Sequence, residues 1–291
     1  VISAIVPTRG AADRLERYLP SVRTSLDACA ATSEILVVDD GGGLRVVPER
    51  ARLVSCPQSR GYGPAVNAGV AAARGDRLLI LNDDVRLETS TVRLLREALP
   101  EEGTFSVVPR VLSPLARNGD EAGKIGVWRA GLLEIEETAS APSRAALYAV
   151  GCCYLCHRQT FLALGGYDEA FAPFLWEDVD LGYRAWRRGL ATVTVPEAVC
   201  HHEGSATISE RPMSERQGAW FRNWALFHLR NVQDPARRAA ALGALAAYAL
   251  FDDRVPVRTG LSAALACFAD VGRRPSEGLS DDAILARVSA T

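Results

Sequence analysis

The sequence has no surplus of charge of either sign. It carries 33 Lys and Arg against 35 Asp and Glu, a formal net charge of −2. Binding a nucleic acid backbone calls for a basic face, so no global drive toward DNA or RNA follows. Local basic groups remain at Arg184, Arg187 and Arg188 and at Arg237-Arg238. The seven cysteines are odd in number and lack framework spacing, which argues against a disulfide scaffold and for a reducing cytosol. No basic segment precedes a long apolar run at the start, so no signal peptide is expected and a cytoplasmic location is. The Ala- and Leu-rich stretch at 239–251 is too short to span a bilayer. It reads as a packed helix, although Arg237-Arg238 before it leave room for a peripheral contact at the inner face of a membrane. Internal repeats and long low-complexity segments are absent as well. What remains is an ordinary globular composition, 48% apolar and 23% charged, able to bury a sizeable core.

The first half alternates apolar runs with helical spacing. Strands are predicted at 1–6, 34–38, 52–56 and 77–81, and helices at 15–30, 64–73 and 89–99. That order implies an α/β fold with a mostly parallel sheet flanked by helices. In such sheets ligands bind beyond the carboxyl ends of the strands. Four successive strand ends carry small, acidic or amide groups. They are Pro7-Thr8-Arg9-Gly10, Asp39-Asp40-Gly41, Ser59-Arg60-Gly61 and Asn82-Asp83-Asp84. The second half is less regular. Strands are predicted at 105–111, 148–157 and 191–195, helices at 158–164 and 179–189, and loops at 113–126 and 136–145. The second loop is polar and suited to a lid or acceptor loop. From about residue 213 the chain reads as helical.

Asn82-Asp83-Asp84 closes a buried strand. Magnesium and manganese take oxygen ligands, often one or two carboxylates plus substrate phosphates, so this turn suits a metal-bridged diphosphate. A plain Asx turn is the alternative. Asp39 and Asp40 can accept from a nucleobase or ribose, or can cap nearby loop amides. Residues 60–69 look superficially like a dinucleotide fingerprint, but Val66 stands where its third glycine belongs. Asn67 is the more informative residue there, an amide one turn inside a helix. At Trp176-Glu177-Asp178-Val179-Asp180 the acids either stabilise a helix N-terminus or, beside apolar walls, supply a general base. Asp178 is the choice of base. Glu177 suits an acceptor hydroxyl or a backbone amide. His201-His202 ends a strand-like run and can complete a metal site. A zinc site on Cys153, Cys156, Cys200 and the histidines is disfavoured, because the first two would point to opposite faces of a strand.

Together these residues resemble family 2 glycosyltransferases of the GT-A fold, in the rhamnosyltransferase-like branch, over residues 1–227. The resemblance rests on Ile5-Val6-Pro7-Thr8, Val37-Val38-Asp39-Asp40, Arg60-Gly61-Tyr62-Gly63 with Asn67-Ala68-Gly69, and Leu81-Asn82-Asp83-Asp84-Val85. Gly165-Gly166-Tyr167-Asp168-Glu169, Trp176 to Leu181, His201-His202 and Arg222-Asn223 complete it. It implies an inverting transferase that moves a sugar from a dTDP-, UDP- or GDP-linked donor to a hydroxyl of a glycan, lipid-linked or small-molecule acceptor. Mg2+ or Mn2+ would be the cofactor. Pro7, Thr8 and Asp39 would line the nucleoside pocket, and Asn67 would lie near the base or diphosphate. Asp84 would hold the metal, with Asn82 in place of the family's first acid. Asp178 would be the base. His201 matches the metal histidine better than His202. Arg222 would neutralise the leaving diphosphate. Arg9, Asp40, Arg60, Gly61, Asp83 and Trp176 complete the expected binding surface. The implied division is a GT-A domain at 1–212, split into a donor half at 1–111 and an acceptor and catalytic half at 112–212. A helical region at 213–291 follows, open to homodimer formation. The rival readings are a sugar-phosphate nucleotidyltransferase and a non-catalytic sugar-nucleotide or glycan-binding module.

Overall fold

The computed structural model describes residues 1–114, 116, 119–137, 145–204, 211–275 and 277–290. Strand β1 (Ile2–Thr8) is buried along its whole length, as an apolar strand covered on both faces must be. It pairs in parallel with β2 (Ser33–Asp40) and β4 (Arg77–Leu81), and β3 (Ala51–Cys56) adds in parallel beyond β2. β10 (Cys153–His157) runs antiparallel between β4 and β6 (Thr104–Leu112). β11 (Ala191–His202) is parallel to β6, and β5 (Val85–Leu87) closes that edge antiparallel to the end of β11. The short β9 (Ala145–Ala146) pairs with the start of β11. The strand order is thus β3-β2-β1-β4-β10-β6-β11-β5. Helices α1 (Ala12–Ala28), α2 (Tyr62–Ala72) and α3 (Thr91–Ala98) follow their strands as expected. α2 lies so close to the sheet that a Cβ on Gly69 would stand 2.5 Å from a methyl of Ile5 and 2.8 Å from one of Val38.

Two expectations in the second half need correction. The expected loops at 113–126 and 136–145 both give way in part to strand, because β7 (Lys124–Arg129) and β8 (Leu132–Glu137) form a hairpin that overlaps the end of the first and the start of the second. Its two-residue turn, Ala130-Gly131, has φ of 49° and 82°, the conformation that suits the twist of paired strands. The expected lid, at 136–145, has strand at both described ends, Glu137 closing β8 and Ala145 opening the short β9, and its residues 138–144 lie outside the described residues. The strand expected over 148–157 occupies only Cys153–His157. The segment before it lies on α5 (Glu177–Arg187), where Gly182 leaves a would-be Cβ only 2.4 Å from Tyr148 Cβ.

After α4 (Arg158–Ala163) and α5, the chain ends in α6 (Met213–Asn231), α7 (Pro235–Phe251), α8 (Val255–Val271) and α9 (Asp281–Ala290). These helices share an apolar core with α5 and the hairpin, built on Trp176, Tyr183, Trp186, Trp224, Phe227 and Ile284. A buried ionic network runs beside it. Asp180, with no exposed surface, accepts from Arg184 at 2.8 Å, Asn231 at 2.9 Å and Arg274 at 3.0 Å. Asp168 accepts from Arg230 at 2.8 Å and from Arg274. Charges removed from water need partners of this kind, and taking one away leaves the rest stranded. Among the described residues no helix is long and apolar enough to cross a membrane.

Candidate active site

The carboxyl ends of β1 and β4 and the end of β11 meet at one corner. Asp83 is tied there, accepting from Thr8 Oγ1 at 2.5 Å and facing Arg14 Nε at 3.3 Å. Burial pushes its pKa up against the pull of those two partners. Asp84 is 3% exposed. The antiparallel register of β5 and β11 sets Val85 opposite His202. His202 Nε2 therefore stands 3.3 Å from Asp84 Oδ1, and its Nδ1 stands 3.0 Å from Glu121 Oε2. The Asn82 amide lies 3.5 Å from Nε2. Burial works to lower the His202 pKa, but hydrogen bonds and charge from Asp84 and Glu121 prevail and hold it at about 9. His201 points away and meets Glu88 Oε1 at 2.8 Å.

The donor set suits a divalent cation. Adjacent ligands on an octahedral centre with bonds of about 2.1 Å lie about 3 Å apart, close to the 3.3 Å between Asp84 and His202. Glu121 stands on the far ring nitrogen, the place from which a carboxylate can orient a metal-ligating histidine.

The second corner is the start of α5. Leu175 and Trp176 both take left-handed backbone angles, φ 74° and 70°, which cost about 1–3 kcal/mol each. Asn223 of α6 holds this turn, its amide donating to the carbonyls of Phe171 at 2.6 Å, Phe174 at 2.9 Å and Leu175 at 2.8 Å. The turn delivers Glu177 and Asp178 to the head of the helix. Asp178 accepts from the Gly151 amide at 3.2 Å and the Val179 amide at 2.8 Å. Burial raises its pKa, those amides hold it back, and it stands at about 6. A carboxylate tuned in this way can take a proton near neutral pH. Glu177 is buried deeper, with no hydrogen-bond partner for Oε2 among the described residues. Burial, then the charge of Asp178, push its pKa well up. Both corners open into one cleft of about 280 Å³.

Residues 3–161 match the model of Glycosyl transferase family 2. The chain belongs to that family. An N-acetylglucosaminyl-diphospho-decaprenol L-rhamnosyltransferase of Mycobacterium tuberculosis is 26% identical over 243 residues, 71% of this chain and 78% of that protein. A pre-mycofactocin glycosyltransferase of the same species is 25% identical over 283 residues, 94% of this chain and 57% of that protein. Among solved structures, GalNAc-T7 with UDP, GalNAc and Mn2+ matches with a TM-score of 0.68 at 16% identity, covering 100% of this chain and 56% of that one. The mannosyltransferase PcManGT from Pyrobaculum calidifontis, with GDP-Man and Mn2+, matches with 0.56 at 20% identity, covering 99% and 79%. These likenesses establish the GT-A fold.

The cleft of this glycosyltransferase gathers most of the expected residues. Pro7, Thr8 and Arg9 come from the end of β1, Asp40 from β2 and Gly61 from the approach to α2, alongside the acidic turn, Glu177, Asp178 and His202. Others are engaged elsewhere. Asp39 accepts from the amides of Gly10 and Gly42, at 3.1 Å each, and of Leu44 at 2.8 Å. It caps a loop and does not line the cleft. Asp40 does line it, while accepting from the amides of Arg60 and Gly61 at 2.7 and 2.9 Å. The Arg60 guanidinium turns outward to Glu169. Asn67 clamps Tyr167, donating to its carbonyl at 2.8 Å and accepting from its amide at 3.0 Å. Trp176 is core, packed on Trp220 and Phe227. Arg222 donates to the carbonyls of Ala170 and Ala172, so it braces the turn before α5 and stands outside the cleft lining. Three charged or metal-ligating lining residues were missed by sequence reasoning, Glu121, Cys152 and Arg211. Only Arg211 had a signal, a cation shortly after the histidine strand. Its guanidinium lies over the Phe174 ring, 5.0 Å from the centroid.

Proposed function

We propose that the chain transfers a sugar from a nucleotide-diphosphate donor to an acceptor hydroxyl, with inversion at the anomeric carbon. The observation that carries this reading is the shared cleft, into which a tuned carboxylate and a carboxylate–imidazole pair open from different elements. Asp178 takes the proton of the acceptor hydroxyl as that oxygen attacks the anomeric carbon and the bond to the diphosphate breaks on the opposite side. Asp84 and His202 are the residues that would hold Mg2+ or Mn2+. Bound there, the ion would act as a Lewis acid toward the negative charge of the leaving group. Arg211 replaces Arg222 as the cation that faces the diphosphate, and Asp40, Thr8 and Arg9 border the nucleoside. In this reading residues 1–111 hold the donor, 112–212 carry the base and acceptor side, and 213–291 support them. The Mycobacterium tuberculosis L-rhamnosyltransferase named above makes a nucleotide-diphosphate rhamnose and a lipid-linked hydroxyl acceptor the first pair to test.

A panel of dTDP-, UDP- and GDP-sugars in a thermal-shift assay with Mn2+ will identify the donor. A ligand at 100 times its Kd adds about 2.7 kcal/mol to the folded state. With that donor, Asp178→Asn should lower turnover by about 100- to 10,000-fold, the range for general base catalysis, while donor binding persists. Undiminished turnover would refute the base. Release of pyrophosphate in place of a nucleoside diphosphate would refute the transfer itself.

A further inference from the structure

We propose that Cys152, His202 and Glu121 form a binding site for a soft divalent cation, of zinc or cadmium type, in the wall of the donor cleft. Each offers one ligand atom, and the three atoms lie within 4.8 Å of one another. A thiolate sulfur, an imidazole nitrogen and a carboxylate oxygen are the donors zinc uses, at about 2.0–2.3 Å, which sets tetrahedral neighbours about 3.3–3.8 Å apart. Side-chain adjustment of about 1 Å closes the difference.

The three residues come from separate parts of the fold. Glu121 precedes β7, Cys152 immediately precedes β10, and His202 ends β11. Their approach therefore joins three separate segments and is not the work of one loop. Cys152 and His202 are each 4% exposed, yet all three border the open cleft, so an ion has a route in. Carboxylate and carbonyl oxygen suit magnesium and manganese, whereas a thiolate favours zinc-type ions. As the metal bonds form, the Cys152 thiol and the protonated His202 imidazole each release a proton to solvent, and no electrons change hands.

This site shares His202 with the pair that faces the donor's cation. On the reading given under Proposed function, a soft cation withdraws that histidine from Asp84, and zinc-type ions inhibit in competition with Mn2+.

The test is a titration of the full chain with Cd2+ in the absence of donor, followed by sulfur-to-cadmium charge-transfer absorption in the ultraviolet. One tight equivalent is expected, lost in Cys152→Ser and in Cys152→Ala, retained in Cys267→Ser, and weakened at least tenfold in Glu121→Gln. No such band, or a band undiminished in both Cys152 variants, overturns the site. Zn2+ should also inhibit Mn2+-dependent transfer at least tenfold less strongly in Cys152→Ser, and equal inhibition overturns the competition. The cadmium arm needs no donor and no turnover, so its failure is separate from failure of the transferase reading, which transfer by the unsubstituted chain with Mn2+ alone decides.

Discussion

Replacing Asp178 by Asn should yield an enzyme that is nearly inactive and more stable. Burial lifts this carboxyl from an ordinary 3.8 to about 6. At about 1.36 kcal/mol per pH unit, holding it ionised in the fold costs about 3 kcal/mol. The direction follows from linkage. A carboxyl whose folded pKa lies above its unfolded one binds more protons when folded, so its cost is absent below the unfolded value and complete above the folded one. At pH 8 the Asp178→Asn substitution removes the whole cost. It also turns an NH2 group toward the Gly151 amide where the carboxylate accepted at 3.2 Å, a loss of about 1–1.5 kcal/mol. The net gain is on the order of 2 kcal/mol at pH 8. The relieved cost falls to about half at pH 5, which leaves little or no gain there. Urea unfolding of both proteins at the two pH values measures this. A variant no more stable than the parent at pH 8, or a gain that does not shrink toward pH 5, refutes the claim that burial of charge tunes this residue.

Other perturbations separate the residues of the cleft from those that support it. Turnover should fall tenfold per pH unit below about pH 6, because Asp178 must be ionised to take a proton; a flat kcat profile from pH 5 to 8 would contradict this. His202→Ala should raise the Mn2+ concentration needed for half-maximal activity by at least tenfold, whereas His201→Ala should leave it unchanged, since His201 meets Glu88 and not Asp84. Asn67→Ala should cost about 1–3 kcal/mol of stability through the two hydrogen bonds to Tyr167 without changing donor KM. Arg211→Ala should raise donor KM several-fold, and Arg222→Ala should instead lower the melting temperature, as its carbonyl contacts dictate.

The parallel half of the sheet was legible because its apolar runs are bounded by turn-forming residues and because a doubly covered strand has no polar face. The β7–β8 hairpin was not, since Ala130 is a poor advertisement for a left-handed turn residue. The strand ends were legible as a set, but their members were not separable by type. Asp39 and Asp40 are adjacent identical acids, and only the three-dimensional course of the loop assigns one to the amides of Gly10, Gly42 and Leu44 and the other to the cleft. The histidine pair poses the same difficulty. Side chains alternate along a strand, yet the irregularity between Val195 and Val199 in β11 resets the alternation, so counting from the start of the strand does not say which histidine faces Asp84. Glu121 carries no local pattern at all. It reaches His202 across 81 residues of sequence.

The ionic network around Asp180 has a consequence for how this enzyme can be altered. Asp180 lies two residues beyond Asp178 on the same helix, and two of its three partners, Asn231 and Arg274, belong to the closing stretch of the chain. Asn223, from that stretch too, grips the turn from which the helix springs. The terminal helices thus serve as the abutment of an arch whose keystone is the proposed base. Trimming the protein at residue 212 to obtain a minimal transferase would remove the masonry that keeps the keystone in line.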